Sequence, residues 1–229
     1  MKESPILILA AHPDDEVLGA GGALARWSAE GAEVAAVFFA DGVGARGQGS
    51  VSTDDFHVKE RRQAARNAAE VLGISRVEFL DFPDNRLDTV PLLEIAQAAE
   101  RWIGELRPEV VLTHHAGDLN IDHRIVHQAV MTACRPQNGH PVRRILGFEV
   151  PSSTEWQAPG SGVPFEPNVF VDITATLDRK REALRAYAAE MREWPHPRSL
   201  QAVEHLARWR GATVGVEAAE AFVLARQIH

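Results

Sequence analysis

Residues 11–16, AHPDDE, place one imidazole and three carboxylates directly after an apolar run. Such a turn also suits a helix N-terminus, where proline fits the first position and carboxylates accept from free backbone N–H groups. That explanation accounts for one carboxylate, but poorly for three with a histidine. Clustered carboxylates repel one another unless a cation lies among them. A divalent metal held by His12 and one aspartate is therefore favoured over helix capping.

A second group of histidines and carboxylates lies in residues 112–130, LTHHAGDLNIDHRIVHQAV. His123 and His127 are four residues apart and would share one helix face, a spacing seen in zinc-binding helices. For His127, a half-buried structural histidine is the favoured interpretation. The set His12, Asp15 and His123 would leave one coordination position open for water, and a neighbouring carboxylate could take the proton of that water.

The elements around these two groups alternate between β-rich runs and helical patterns. Strands are predicted at 5–10, 33–40, 76–81, 109–114, 144–150 and 168–173. The runs are continuously apolar, which indicates strands covered on both faces. The order predicts an α/β fold with a mostly parallel, doubly wound sheet, in which ligands bind beyond the carboxyl ends of the strands.

The whole chain, 1–229, is predicted to form a single domain. Residues 151–167 are rich in proline and glycine and are expected to form a loop or lid on it. Residues 176–229 are expected to form a C-terminal helical region, with two helical patterns and a last amphipathic segment.

Composition excludes several classes of function. The net charge of −8 and the absence of a long basic run argue against nucleic acid as a partner. The densest basic cluster, residues 59–62 (KERR), is interpreted as a solvated helix face. One cysteine, Cys134, fits a buried structural thiol in a reducing compartment. With no signal peptide and no run of membrane-spanning length, a cytoplasmic location is expected.

The motif AHPDDE after the first strand, with a later N-x-D-H before a helix, resembles the PIG-L/LmbE-like family of zinc de-N-acetylases. The DLNIDHR form resembles a sub-branch of that family. The resemblance implies a Rossmann-like, three-layer α/β/α fold and hydrolysis of acetamides on glucosamine-type sugars. It also implies one Zn²⁺ per chain, with other divalent ions left open.

Residue by residue, the resemblance gives His12, Asp15 and His123 as metal ligands. Asp14 matches the general base that deprotonates the attacking water. Asp122 matches the acid that orients a neighbouring imidazole.

This chain departs from the family at Asn120, where many members have a histidine assigned to oxyanion stabilisation or amine protonation. Asn120 could donate a hydrogen bond to an oxyanion, but it cannot act as a general acid. The proton would then come from Asp14 or from one of His114, His115 and His196.

Substrate recognition is expected from loops at the same end of the sheet. Asp41 and Arg46 follow the second strand, and Arg86 follows the third. Ordinary turn chemistry explains these positions about as well as binding does. His196 and Arg198, in the segment WPHPRS, could close over the site, or the prolines on both sides of His196 could make this a rigid surface loop. Trp156 could stack on a sugar, although packing is the commoner role of a loop tryptophan.

The expected activity is hydrolysis of a linear amide, removing an N-acetyl group from a small amino sugar, a sugar conjugate or a sugar nucleotide. One alternative is a metal-dependent amidase acting on another acylated amine or a thiol conjugate. Another is a non-catalytic Rossmann-type ligand-binding module, suggested by GAGG at 19–22. Assembly into a homo-oligomer is left open.

Overall fold

A computed structural model of the chain describes residues 5–44 and 55–229. The strands are β1 (Ile6–Ala10), β2 (Val34–Ala40), β3 (Arg76–Phe82), β4 (Val110–His114), β5 (Arg144–Phe148), β6 (Val169–Asp172) and β7 (Ala219–Gln227). They form one seven-stranded sheet in the order β3-β2-β1-β4-β5-β7-β6. Strands β1 to β5 pair with one another in parallel, and β7 pairs antiparallel with both β5 and β6.

Helices cover both faces of this sheet. They are α1 (Asp15–Ala29), α2 (Asp55–Leu72), α3 (Leu92–Leu106), α4 (Ile121–Ala133), α5 (Leu177–Ala186) and α6 (Leu200–Ala212). One core packs α1, α2, α5 and α6 against the sheet, and the other packs α3 and α4 against the opposite face. Alternate residues of β1 enter the two cores, Ile8 the first and Leu9 the second. Because neither face of such a strand is exposed to solvent, its sequence is continuously apolar.

The predicted α/β class, with a three-layer arrangement and a mostly parallel sheet, is confirmed. Each of the six predicted strands is present within one or two residues of its expected bounds. No helix in the described ranges has the length and apolarity that crossing a membrane requires.

The expectation of a helical region over 176–229 is wrong at its end, because residues 219–227 form β7. Alanine and glutamate favour a helix locally, but pairing with two strands and burial of Phe222 override that preference. Glu220 enters the interior here and accepts hydrogen bonds from the backbone N–H groups of Gly22 and Ala23 and from Lys180 Nζ. These contacts join β7 to α1 and α5.

Residues 151–167 are irregular, as predicted, apart from a short 3₁₀ turn at Thr154–Trp156. The far part of this loop lies against the segment after β4. His115 Nε2 is 2.8 Å from the carbonyl oxygen of Val163, and a Cβ placed on Gly117 would lie 1.9 Å from the same oxygen. Only glycine allows the two backbones to approach so closely. Whether the loop moves as a lid stays a prediction.

Candidate active site

The two motifs meet because β1 and β4 are neighbours in the sheet and end at the same edge. AHPDDE follows β1, and the segment leading to α4 follows β4. The backbone N–H of Ala11 donates to His114 Nε2 at 2.8 Å and joins the two strand ends directly. The parallel topology therefore brings together side chains that lie about a hundred residues apart.

His12, Asp15 and His123 form a buried group whose ligand atoms all lie within 4.8 Å of one another. Asp15 Oδ2 is 3.4 Å from His12 Nδ1 and 3.3 Å from His123 Nε2. Asp15 Oδ1 is buried and has no hydrogen-bond donor among the described residues. A buried carboxylate oxygen without a partner is costly, and a bound cation would satisfy it. The three residues therefore fit a divalent metal ion.

A second acidic group, His12 with Asp84 and Asp122, shares the same imidazole. Asp122 already accepts backbone N–H groups from Asn85 at 2.7 Å and from Leu87 at 3.1 Å. His12 Nε2 lies 3.1 Å from Asp122 Oδ2 and 3.0 Å from Asp84 Oδ1. These carboxylates hold the Nε2 end of the ring, so the Nδ1 end faces the metal group. Carboxylates commonly orient metal-binding histidines in this way.

The two adjacent aspartates of the motif have pKa values shifted in opposite directions. Burial raises the pKa of Asp14 above its usual 3.8, although the guanidinium groups of Arg198 and Arg61 oppose the shift. Burial by itself raises the pKa of Asp15, but His123, His114 and His12 together outweigh burial and lower the pKa well below 3.8. Paired groups whose pKa values are pushed apart are typical of acid–base sites.

Asp14 adopts a backbone conformation that non-glycine residues rarely take, with φ of 113°. Its side chain does not cap α1. Both of its ion pairs are made by Oδ2, at 2.8 Å from Arg198 Nη1 and 3.3 Å from Arg61 Nη1. Arg61 Nη2 also pairs with Glu190 at 2.7 Å. Strain of this kind persists only where surrounding contacts fix it.

The third carboxylate of the motif supports the backbone. Glu16 Oε2 accepts the N–H of Asp14 at 2.9 Å, and Tyr187 donates its hydroxyl to Glu16 Oε1 at 2.6 Å. Burial raises the pKa of Glu16 to about 8. Helix capping by the motif is thus a poor account of all three acids.

Asp118, one of the carboxylates in residues 112–130, contacts His123 and belongs to the site. Its Oδ1 lies 3.1 Å from His123 Nδ1. It also accepts hydrogen bonds from the hydroxyls of Ser153 and Thr154 and from the backbone N–H of Asn120. Burial by itself raises its pKa, but His123 and the hydrogen bonds lower the pKa well below 3.8. The available signal for its role in the site was its position in the sequence, two residues before Asn120.

Asn120 is the N-cap of α4. Its Oδ1 accepts the N–H of Asp122 at 2.8 Å, and its Nδ2 donates to Asn85 Oδ1 at 3.2 Å. The cap fixes the first turn of α4, which carries His123, and so the asparagine has a structural role whatever its role in chemistry.

The nearby histidines differ in their access to a substrate. His114 is fully buried, with its ring stacked on His123 at a centroid distance of 3.9 Å, and burial lowers its pKa well below 6.5. His115 is held against the backbone of Val163. His127 is partly buried and contacts the carbonyl oxygen of His114 through Nδ1, in agreement with its structural interpretation.

The four predicted substrate-binding residues have different surroundings. Arg46 lies outside the described residues. Asp41 accepts a backbone N–H two residues on, which is turn chemistry. Arg86 is exposed, in the loop after β3 that contacts Asp122. His196 accepts the backbone N–H of Arg198 through Nδ1 at 3.0 Å and is therefore joined to the site through the residue that contacts Asp14.

Two arginines contact Asp14 in the site, and of these the sequence indicated Arg198 as a candidate but not Arg61. The interpretation of residues 59–62 as a solvated face is wrong for Arg61, which is 6% exposed and contacts Asp14. Arg198 reaches Asp14 from 184 residues away. No local pattern predicts a contact of that separation.

The chain is similar to several known proteins. The PIG-L family model, described as GlcNAc-PI de-N-acetylase, matches residues 7–134. The uncharacterized deacetylase YaiS of Escherichia coli is 34% identical over 75% of this chain and 83% of its own length. The diacetylchitobiose deacetylase of Thermococcus kodakarensis is 29% identical over 82% and 70%.

Another relative, the 4-oxalmesaconate hydratase of Pseudomonas putida, is 30% identical over 83% of this chain and 75% of its own. Among solved structures, the conserved protein TT1542 of Thermus thermophilus is 30% identical, with a TM-score of 0.74 over 99% of this chain and 97% of that one. The family model spans more than half of the chain, and the metal-ligating group lies within the matched region. This chain belongs to the PIG-L family of de-N-acetylases.

Proposed function

We propose that this protein is a zinc-dependent N-deacetylase that removes an acetyl group from an amino sugar or a sugar conjugate, sugar nucleotides included. The observation that carries the proposal is the buried group of His12, Asp15 and His123 with Asp14 beside it. Two imidazoles and one carboxylate are the ligand set of hydrolytic zinc sites.

His12, Asp15 and His123 would hold one ion per chain. The uncompensated Asp15 Oδ1 supports this assignment, because the fold provides it with no other partner among the described residues. A divalent ion bound there would polarise the amide carbonyl and increase the acidity of water. Asp122 and Asp118 would fix the orientation of the two imidazoles.

Asp14 is assigned as the general base. Arg61 and Arg198 both contact Oδ2 and hold the carboxylate in one orientation, which leaves Oδ1 to accept the proton of the attacking water. Burial raises the pKa of Asp14 and makes it a stronger base than an exposed aspartate.

In the proposed hydrolysis, Asp14 carries one proton from the attacking water to the leaving amine. The water oxygen bonds to the carbonyl carbon, and the proton that it loses passes to Asp14. One N–H of Asn120 Nδ2 donates to Asn85, and the other donates to the oxyanion that forms from the amide carbonyl oxygen. When the C–N bond breaks, Asp14 returns the proton to the amine nitrogen. His114 and His115 are excluded as donors to the amine by their burial and contacts.

An N-acetylated sugar is the preferred substrate class because of the relatives. The description of the family model names GlcNAc-PI as the substrate, and the name of the T. kodakarensis relative gives diacetylchitobiose. Asp41, Arg46, Arg86 and His196 are the candidates for reading the sugar hydroxyls.

Water addition by a hydratase is a second candidate function. The P. putida hydratase favours it, because its 30% identity to this chain is slightly higher than the 29% of the T. kodakarensis deacetylase. A general base with an adjacent metal would serve either reaction. Release of acetate separates the two, because a hydratase adds the mass of one water and releases nothing.

The test measures metal content and acetate release on a panel of N-acetylated sugars and sugar conjugates. The wild-type protein is expected to bind one zinc per chain and to release acetate. Asp14→Asn is expected to keep the zinc and to lose about a thousandfold in kcat. The control is Asp178→Asn on α5, where the carboxylate is exposed. An active Asp14→Asn variant, or zinc-loaded protein that releases no acetate from the panel, would contradict the proposal.

A further inference from the structure

Trp156 is a large apolar side chain that remains 51% exposed beside the active site. It ends the 3₁₀ turn Thr154–Trp156, two residues after Thr154, which binds Asp118 together with Ser153. Two residues of chain span at most about 7 Å, so the backbone of Trp156 lies within that distance of Thr154. The backbone that carries the indole is therefore close to the Asp118 side of the site, and the indole itself contacts the ring of His196.

The turn that carries Trp156 is held rigidly. Ser152 has φ of 70°, which non-glycine residues seldom adopt. Glu155 accepts the backbone N–H groups of Ser152 at 2.6 Å and Ser153 at 3.2 Å, and Thr154 Oγ1 accepts that of Val150 at 2.8 Å. A strained residue fixed by several contacts is a mark of functional turns. An exposed side chain on such a turn loses little freedom when a ligand covers it.

One guanidinium joins this turn to the general base. Arg198 donates from Nε to Ser152 Oγ at 2.7 Å and from Nη1 to Asp14 Oδ2 at 2.8 Å. Ser152, four residues before Trp156, and the carboxylate of Asp14 are thus separated by one guanidinium group. A substrate held at Asp14 would reach Trp156 with its next group.

His196 completes the surface beside the indole. The two rings meet nearly at right angles, at 81° with centroids 5.8 Å apart, so they do not cover each other by stacking. His196 Nδ1 accepts the N–H of Arg198, which leaves the proton of the neutral ring on Nε2. An aromatic face and an N–H donor therefore lie together.

We propose that Trp156 and His196 form a subsite for a second pyranose ring, linked to the acetylated amino sugar whose acetyl group is removed at Asp14. This inference rests on the proposed function and specifies its substrate as at least a disaccharide. The C–H groups of one pyranose face pack against the negative face of an indole. The hydroxyls at the ring edge match the donors of His196 and Arg198.

The test uses deacetylated products, which the enzyme cannot turn over. Glucosamine and chitobiose are titrated into the zinc-loaded protein by calorimetry. Chitobiose is expected to bind about tenfold more tightly than glucosamine, since the second ring buries part of the indole. Trp156→Ala is expected to abolish that difference and to leave the Kd of glucosamine unchanged, whereas Trp156→Phe retains most of it.

Trp209→Ala is the matched control, because Trp209 is 64% exposed on α6 and should leave both Kd values unchanged. The subsite is refuted if chitobiose has no advantage in the wild type, if neither product binds, or if Trp156→Ala keeps the advantage. Acetate release without a disaccharide advantage counts against the subsite alone. A tenfold advantage lost in Trp156→Ala, without acetate release from any substrate, supports the subsite and counts against the proposed reaction.

Discussion

Replacing Asp118 with asparagine should weaken both the fold and the metal site. The carboxylate accepts from the hydroxyls of Ser153 and Thr154 and the N–H of Asn120, and it pairs with His123. Each hydrogen bond to a charged group contributes about 1.5–3 kcal/mol. Asparagine keeps one acceptor oxygen but turns an N–H group toward the remaining donors. We expect the free energy of unfolding of the metal-free protein to fall by about 3 kcal/mol.

The pH dependence of this loss follows from the pKa of Asp118, which is lower in the folded chain than in the unfolded one. As the pH falls through the unfolded value of about 3.9, the unfolded chain takes up the proton first and is stabilised. The part of this contribution that depends on the ionisation of Asp118 is therefore complete above about pH 4 and is lost below it. Burial lowers the pKa of His123, but Asp15 and Asp118 outweigh burial and raise it to about 9, so part of the contribution of Asp118 is lost as the pH rises from 6.5 through 9. The difference between the wild type and Asp118→Asn should therefore be largest at about pH 5–6 and shrink both below about pH 4 and above about pH 7.

Urea denaturation of metal-free protein measures the loss, and zinc titration measures the second effect. Without the contact to His123, the affinity for zinc should fall about tenfold to a hundredfold. Asp172→Asn is the matched control, because Asp172 accepts from the backbone and hydroxyl of Thr174 at the surface. Its cost should stay below about 0.5 kcal/mol. An Asp118→Asn protein as stable as this control, with wild-type zinc affinity, would refute the reasoning.

Three further predictions concern the scaffold. Lys180→Met should cost about 3–5 kcal/mol in urea denaturation, because it leaves its buried carboxylate partner on β7 without a counter-charge; a wild-type midpoint would contradict it. Gly19→Ala should destabilise by about 1–3 kcal/mol or more, because the new Cβ would lie 2.4 Å from a ring carbon of β5. Gly104→Ala, with open space at its Cβ, should instead stabilise α3 by about 0.5–1 kcal/mol. Burial raises the pKa of Cys134 to about 12, so the native thiol should resist a disulfide reagent at pH 8 and react fully in urea.

Much of the fold could be predicted from the sequence because the central strands β1, β2, β4 and β5 are buried on both faces. Their continuous apolar runs, separated by helical patterns, allow few arrangements other than a doubly wound parallel sheet. The meeting of His12, Asp15 and His123 then follows, since each motif comes directly after a strand that ends at the same edge.

The remaining features depend on contacts between distant parts of the chain. Arg61 looks like a surface residue in its local sequence, and the prediction that Arg198 could close over the site gave it no partner. Only the folded chain places both guanidinium groups against Asp14. Residues 219–227 have a local preference for a helix that pairing with two strands overrides. Asp118 has a readable position, but its hydroxyl partners come from a loop 35 residues away. Such contacts leave no periodic signal in one sequence.

The central claim is that His12, Asp15 and His123 hold one catalytic metal ion. Anomalous diffraction at the zinc edge, on crystals grown with zinc, tests it most directly. We expect one strong peak per chain at about 2 Å from a nitrogen of each histidine and an oxygen of Asp15. A zinc-loaded crystal with no peak among these three side chains, or with its peak elsewhere in the fold, would contradict the account.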